Sequence, residues 1–148
     1  MFRGTSYNTL DPKGRFIVPA RFRDAINSGG QGSVMMTRLD GALFAYALDE
    51  WNMVESRILS EPVTGAALRR FRRIFIGGAM ECQRDKQDRI LIPVPMRAYA
   101  ELDKNVVIVG QINHFEIWSK DRYEFEERQL DSDMNNKEVG DEIAKFGL

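Results

Sequence analysis

LDPKGRFIVP, residues 10–19, returns as RDKQDRILIP, residues 84–93. In both stretches an Asp precedes an Arg by four positions, three apolar residues follow, and a Pro closes the run. Asp11 matches Asp85, Arg15 matches Arg89, and Phe16, Ile17, Val18 and Pro19 match Ile90, Leu91, Ile92 and Pro93, each pair 74 positions apart. The register extends outward at the same spacing through Gly4 and Gly78, Phe22 and Met96, and Arg23 and Arg97. Farther on, Val34, Met35, Met36 and Thr37 match Val106, Val107, Ile108 and Val109 at an offset of 72, as do Tyr46 with Trp118 and Trp51 with Tyr123. A loop shorter by two residues accounts for the change. The chain therefore reads as a duplicated unit of about seventy residues, and a unit that small is expected to need its twin to close a core.

This duplication sets the expected organisation: a first repeat over residues 1–62, a basic linking helix over 63–76, a second repeat over 77–130, and a polar, weakly ordered tail over 131–148. Within the first repeat, FIVP, SVMMTR at 33–38 and ALFAYAL at 42–48 have strand character, with RILIP, NVVIVG and HFEIW as their counterparts. Pro19, with Phe22 and Ile26 four apart, predicts a short helix that the SGGQG run ends. Asp49 is placed to cap a helix whose Trp51, Val54 and Ile58 share one face. Thr64 and the Gly77-Gly78 pair bracket TGAALRRFRRIF, in which Leu68, Phe71 and Phe75 fall on one side and Arg69, Arg70, Arg72 and Arg73 on the rest. A final helix is expected to begin near Ser119. The fold class is α+β.

The 148 residues, 43% hydrophobic and 29% charged, have the composition of a globular protein with a real core, and no apolar run approaches the length of a membrane span. The opening MFRGTSYNTL has no apolar segment of signal-peptide type, so a cytoplasmic location is the expectation. One cysteine, Cys82, and one histidine, His114, leave no disulfide within the chain and no metal cluster of ordinary spacing.

The net charge of −1 conceals segregation. Residues 1–23 carry five bases against Asp11, or +4; residues 68–97 carry eight against three acids, or +5; from Asp121 onward nine acids face four bases, or −5. Both positive blocks contain the repeated motif, which suits attraction of a polyanion, while segregated charge also occurs as plain solvated surface.

Two readings of the motif stand open on residue chemistry. Pro12 and Gly14 make the segment a turn, and an Asp–Arg ion pair that merely braces it would recur through duplication alone. Alternatively, the Asp holds an arginine fork able to grip guanine O6 and N7 or a phosphate, with Lys13 and Lys86 adding a point charge to each copy. Catalysis finds no support: His114 lies in an apolar run without a nucleophile, each motif Asp has an Arg that holds it ionised, and SGGQGS lacks the setting of a phosphate loop. The chain is not expected to be an enzyme, to use a cofactor, or to take a small-molecule substrate.

MFRG, LDPKGRFIVPARFR, GGAMECQRDKQDRILIP and VVIVGQINHFEIW together closely resemble bacterial MraZ proteins, from Met1 to about Leu130. That family is similar to the AbrB group of DNA-binding regulators. The resemblance implies an AbrB-like swapped-hairpin β-barrel built from two tandem repeats in one chain, with flanking helices, and assembly into a ring-shaped homo-oligomer. It also implies a transcriptional regulator, nucleoid-associated, that binds short direct repeats of double-stranded DNA upstream of its own gene in the division and cell-wall cluster. The contact set expected from it is Arg3, Lys13, Gly14, Arg15, Lys86 and Arg89, with Asp11 and Asp85 shaping the turns. In the second copy Gln87 and Asp88 stand where the first has Lys13 and Gly14, and Asp88 is expected to repel phosphate. The competing class is a structural or partner-binding oligomeric repeat protein without specific DNA recognition.

Overall fold

The duplication is written into the strand pairing. The computed structural model describes all 148 residues. In the first repeat the order is β1 (Thr5–Thr9), β2 (Arg15–Ile17), α1 (Ala20–Gly30), β3 (Ser33–Leu39), β4 (Ala42–Ala47) and α2 (Leu48–Ser60), followed by α3 (Gly65–Phe75). The second repeat gives β5 (Met80–Gln83), β6 (Arg89–Leu91), α4 (Val94–Tyr99), β7 (Asn105–Gly110), β8 (Phe115–Ser119) and α5 (Lys120–Asp133), followed by α6 (Lys137–Ala144). Six strands form one sheet in the order β1-β7-β8-β4-β3-β5, and β2 and β6 pair as a separate antiparallel ribbon. The order reads the same from either end once repeat mates are exchanged.

The register confirms an internal two-fold. Ser6 lies opposite Ile108, and their mates Met80 and Met36 lie opposite each other. The pairs Phe16–Ile90 in the ribbon and Phe44–Glu116 between β4 and β8 sit at the centre, with their neighbours related by the exchange. Neither repeat keeps its own first strand: β1 pairs with β7 and β5 with β3. This exchange is the physical reason a half-chain lacks a closed core. The class is α+β, with two sheets and flanking helices; β1 and β5 are the edges of the larger sheet.

The core lies between one face of the sheet and a cover of ribbon, α1 and α4. Phe16, Phe22, Ile26, Ile90, Ile92, Met96 and Phe115 are essentially removed from solvent there. Burial of each such side chain stabilises by about 1.5–3 kcal/mol. The Phe2 ring meets Phe22 and Phe115 edge-on at 5.2 Å, which ties the first residues to both repeats. On the other face, Trp51, Val54 and Phe75 cover Phe44 and Tyr46, while Trp118 packs beside Tyr123.

Local expectations differ from the structure at several places: β1 and β5 match none of the expected strand runs, and Thr64 precedes α3 without a side-chain cap bond. α1 continues through Gly30 rather than ending at the glycine run, since a side chain at Gly30 would press on the Leu48 backbone N at 3.1 Å, and Gln31 at φ 54° caps it. Asp49 stands inside the first turn of α2, where its carboxylate accepts from the Glu50 N–H at 2.8 Å, so it is not the cap. Of the apolar side of α3 only Phe75 is buried, and Leu68 and Phe71 remain at the surface. The tail, read as weakly ordered apart from a terminal turn at EIAKF, carries the longer α6, whose first turn is capped by Asn136 accepting from the Glu138 N–H at 2.9 Å. No helix is long and apolar enough to cross a membrane.

Candidate functional site

Each motif folds into the same side-chain-closed turn. Asp11 Oδ1 accepts from the backbone N–H groups of Lys13 at 3.0 Å and Arg15 at 2.9 Å, and Oδ2 accepts from Arg15 Nε at 2.5 Å. The Gly14 N–H closes on the Asp11 carbonyl at 2.9 Å. In the second copy Asp85 takes the Gln87 and Arg89 N–H groups and Arg89 Nε, each at 2.9 Å. Such turns suit Asp because its short carboxylate reaches the backbone two residues on. The Arg15 backbone N–H above all, then its guanidinium and the Lys13 N–H, outweigh partial desolvation and hold the Asp11 carboxyl below its ordinary 3.8. The Arg89 backbone N–H leads the same effect on Asp85. Both carboxylates are thus fixed as anions and acceptors. Asp11 engages only Nε of Arg15, which leaves the two terminal amino groups of the fork turned elsewhere.

The other repeat completes each turn. The Ile92 N–H donates to the Gly14 carbonyl at 3.0 Å, and the Val18 N–H to the Asp88 carbonyl at 2.8 Å. Just beyond, Arg97 donates through Nε to the Ile92 carbonyl and Arg23 to that of Val18, so the repeat mates reach over opposite turns. At the first turn the Arg97 guanidinium lies directly over Gly14: a Cβ there would approach it to 2.5 Å. At the second, Arg23 pairs with the Asp88 carboxylate at 3.2 Å, and Arg84 pairs with the same group. The Asp88 carboxylate, expected to repel phosphate, thus already faces two guanidiniums of its own chain. Both positions take a left-handed backbone, Gly14 at φ 88° and Asp88 at φ 60°, a conformation Asp tolerates better than most residues.

β2 and β6 turn Phe16 and Ile90 inward, which leaves Arg15, Ile17, Arg89 and Leu91 on the outward face. Around the first turn Lys13, Arg15 and Arg97 against Asp11 sum to +2; around the second Arg23, Arg84, Lys86 and Arg89 against Asp85 and Asp88 also sum to +2. The two ends differ in freedom, not in charge. Lys13 and Arg97 have no ion-pair partner, whereas Arg23 and Arg84 are both held by Asp88. Arg89 donates a second time through Nη2, to Gln87 Oε1 at 3.0 Å. Lys86 alone is unpaired at the second turn. An open depression of about 540 Å³ beside the first turn is lined by Asp11, Gly14, Arg97 and Lys104.

Of the sequence-derived set, Lys13, Gly14 and Arg15 come together at one end of the ribbon and Lys86 and Arg89 at the other. Arg3 does not join its own turn. It precedes β1, whose five residues span about 17 Å, and its carbonyl accepts from Arg21 Nε at 2.8 Å. Sequence reasoning missed Arg97, Arg23 and Arg84 as parts of the site. The first two carried a signal in their matched spacing of 74, but which turn each reaches over depends on the pairing of β2 with β6. His114 is packed, stacked on Phe44 at 4.7 Å and bonded to Glu116 at 3.0 Å. Burial, and then the Glu81 charge, push the Cys82 thiol up to about 11, which keeps it protonated at neutral pH.

The MraZ family model, described as "MraZ protein, putative antitoxin-like", matches twice, over residues 1–74 and 75–145. The chain is 51% identical over its full 148 residues to a transcriptional regulator MraZ of Desulforapulum autotrophicum, covering all of both chains. It is 47% identical to one of Desulfosudis oleivorans, again with full coverage of both. The counterpart in Pelotomaculum thermopropionicum is 43% identical over 100% of this chain and 99% of its own. A duplicated, strand-exchanged α+β chain with two outward basic turns defines the class, and the chain belongs to the MraZ family of transcriptional regulators, not to a family of enzymes.

Proposed function

We propose that this chain is a sequence-specific double-stranded DNA-binding regulator that reads short direct repeats in the promoter upstream of its own gene, in the division and cell-wall cluster. The observation that carries the reading is the outward face of the ribbon. A two-stranded antiparallel ribbon fits the B-DNA major groove, about 12 Å wide. Arg15 and Arg89 are diagonal across it, two residues along and one strand over, so their Cα atoms stand roughly 8 Å apart. Each fork is held at Nε by its motif Asp, which lowers the entropy lost when it meets a guanine edge. Lys13, Arg97 and Lys86 supply phosphate charge beside them. The ribbon and the six-stranded sheet work as the closed AbrB-like barrel, copies join in a ring, and the protein acts on the nucleoid in the cytoplasm.

Titration of the protein on its upstream DNA and on a scrambled duplex tests this reading. With about six phosphates neutralised, affinity should fall roughly a thousandfold between about 50 and 200 mM salt, and the upstream fragment should bind more tightly at every salt concentration. Equal affinity for both duplexes would leave the partner-binding reading ahead.

A further inference from the structure

Beyond the ribbon, two helices have large apolar side chains at the surface with nothing over them. α3 carries Arg69, Arg70, Arg72 and Arg73 and no acid, and exposes Leu68, Phe71 and Ile74. Between α3 and the end of α2 runs an apolar groove of about 190 Å³, lined by Ile58, Pro62, Val63, Leu68 and Phe71, with Glu61 and Arg72 as its charged members. A cavity of about 150 Å³ holds a benzene ring, so a phenyl side chain fits the groove. The second helix is α6, which occupies the position of α3 in the second repeat: at the offset of 72, Ile143 matches Phe71 and Phe146 matches Ile74. Its charge is opposite, with Glu138, Asp141 and Glu142 against Lys137 and Lys145. Phe146 is 76% exposed, and Leu130 and Met134 continue the uncovered apolar surface along the end of α5.

We infer that α6 and the turn that follows it in one copy seat in the α2–α3 groove of a second copy, with Ile143 of the helix and Phe146 of the turn in the apolar cleft and the acids of α6 facing the arginines of α3. This interface rests on the ring assembly proposed above and specifies how the copies join. α3 packs over β3, at one end of the sheet, whereas α5, which leads into α6, packs over β7 and β8 at the other. Each copy therefore offers a basic groove on one flank and an acidic arm on the opposite one. Contacts of that kind are heterologous, and they repeat around a closed ring instead of ending at a two-fold dimer. The net +4 of α3 against −1 over residues 137–146 also disfavours the alternative of groove on groove.

Light scattering on the full chain and on Phe71→Glu and Phe146→Glu tests the inference, with Leu68→Glu and Ile143→Glu as second variants and circular dichroism to confirm folding. The wild type should form a ring well above a dimer, and each variant should fall toward the 17.0 kDa monomer. The decisive sample is the equimolar mixture of Phe71→Glu and Phe146→Glu. Each retains one intact face, so the mixture should form one-to-one dimers that neither variant forms alone. Folded groove and arm variants that remain full-sized rings would overturn this interface while leaving the ring reading intact. A monomeric wild type would overturn both readings, and a wild-type dimer would overturn the head-to-tail arrangement.

Discussion

The first and second turns share their backbone hydrogen bonds and an Asp clamp on arginine Nε, yet their cations are placed under different constraints. At the first turn glycine leaves Arg97 lying over the backbone with no acid beneath it, and Lys13 and the outer fork of Arg15 are unengaged. At the second, Asp88 draws Arg23 and Arg84 onto itself, and Gln87 takes a second donor of Arg89. Two positions set the difference: glycine or aspartate at the left-handed site decides whether the opposite repeat's arginine is available or held, and Leu10 stands where the second turn has Arg84. Duplication thus preserved a rigid frame while the two ends came to differ in how readily their positive charge meets an outside anion.

Arginine substitution should separate the ends most strongly. Arg15→Ala is expected to cost about 1–3 kcal/mol of affinity per base contact, multiplied around a ring by avidity, with a melting temperature close to wild type. Arg89→Ala should follow the same pattern with a smaller loss, since its fork is already shared with Gln87. Titrations of both variants on upstream and scrambled DNA, run beside thermal melts, check this; a larger loss for Arg89→Ala would reverse the comparison.

Arg15→Lys sharpens the result, because it keeps the charge and removes the planar fork. Binding to scrambled DNA should barely change while the preference for the upstream fragment shrinks. Loss of both alike would assign Arg15 to phosphate.

Exchanging the deciding residue comes next in size. Gly14→Asp should draw Arg97 into an ion pair, lower affinity on all duplexes and reduce the salt slope by about 1. Asp88→Gly should release Arg23 and Arg84 and raise the slope. The left-handed backbone already accepts Asp at position 88, so the folded Gly14→Asp protein remains assayable. Slopes from binding at four or five salt concentrations would show whether the turns can be interconverted.

The smallest effect is acid sensitivity, and it should treat the two turns alike. Asp11 and Asp85 both have folded values depressed below 3.8. A depressed carboxyl stabilises the native state fully above its unfolded value, and that contribution is lost as pH falls from there through the folded value. Melting temperature should therefore drop below about pH 4, more steeply for wild type than for Asp11→Asn or Asp85→Asn. A parallel drop in all three proteins would remove the clamps from the acid response.

The paired turns were legible because an Asp that bonds its own following backbone is a local device, and so were the strands that hydrophobic runs between Gly, Asp and Pro marked out. The duplication could be read from constant spacing, and the need of each half for the other from the small size of the repeat. Arg97 over Gly14 could not, nor could Arg23 and Arg84 on Asp88, because these contacts cross between repeats, and composition does not say which turn meets which helix. The amino acids by themselves determined a two-fold duplicated α+β chain with a clamped arginine in each copy. Only the tertiary structure decided that β1 and β5 change places between the repeats. It decided too that β2 pairs with β6, which brings each turn under the opposite repeat's arginine, because antiparallel pairing about a two-fold carries the start of one strand to the end of its mate.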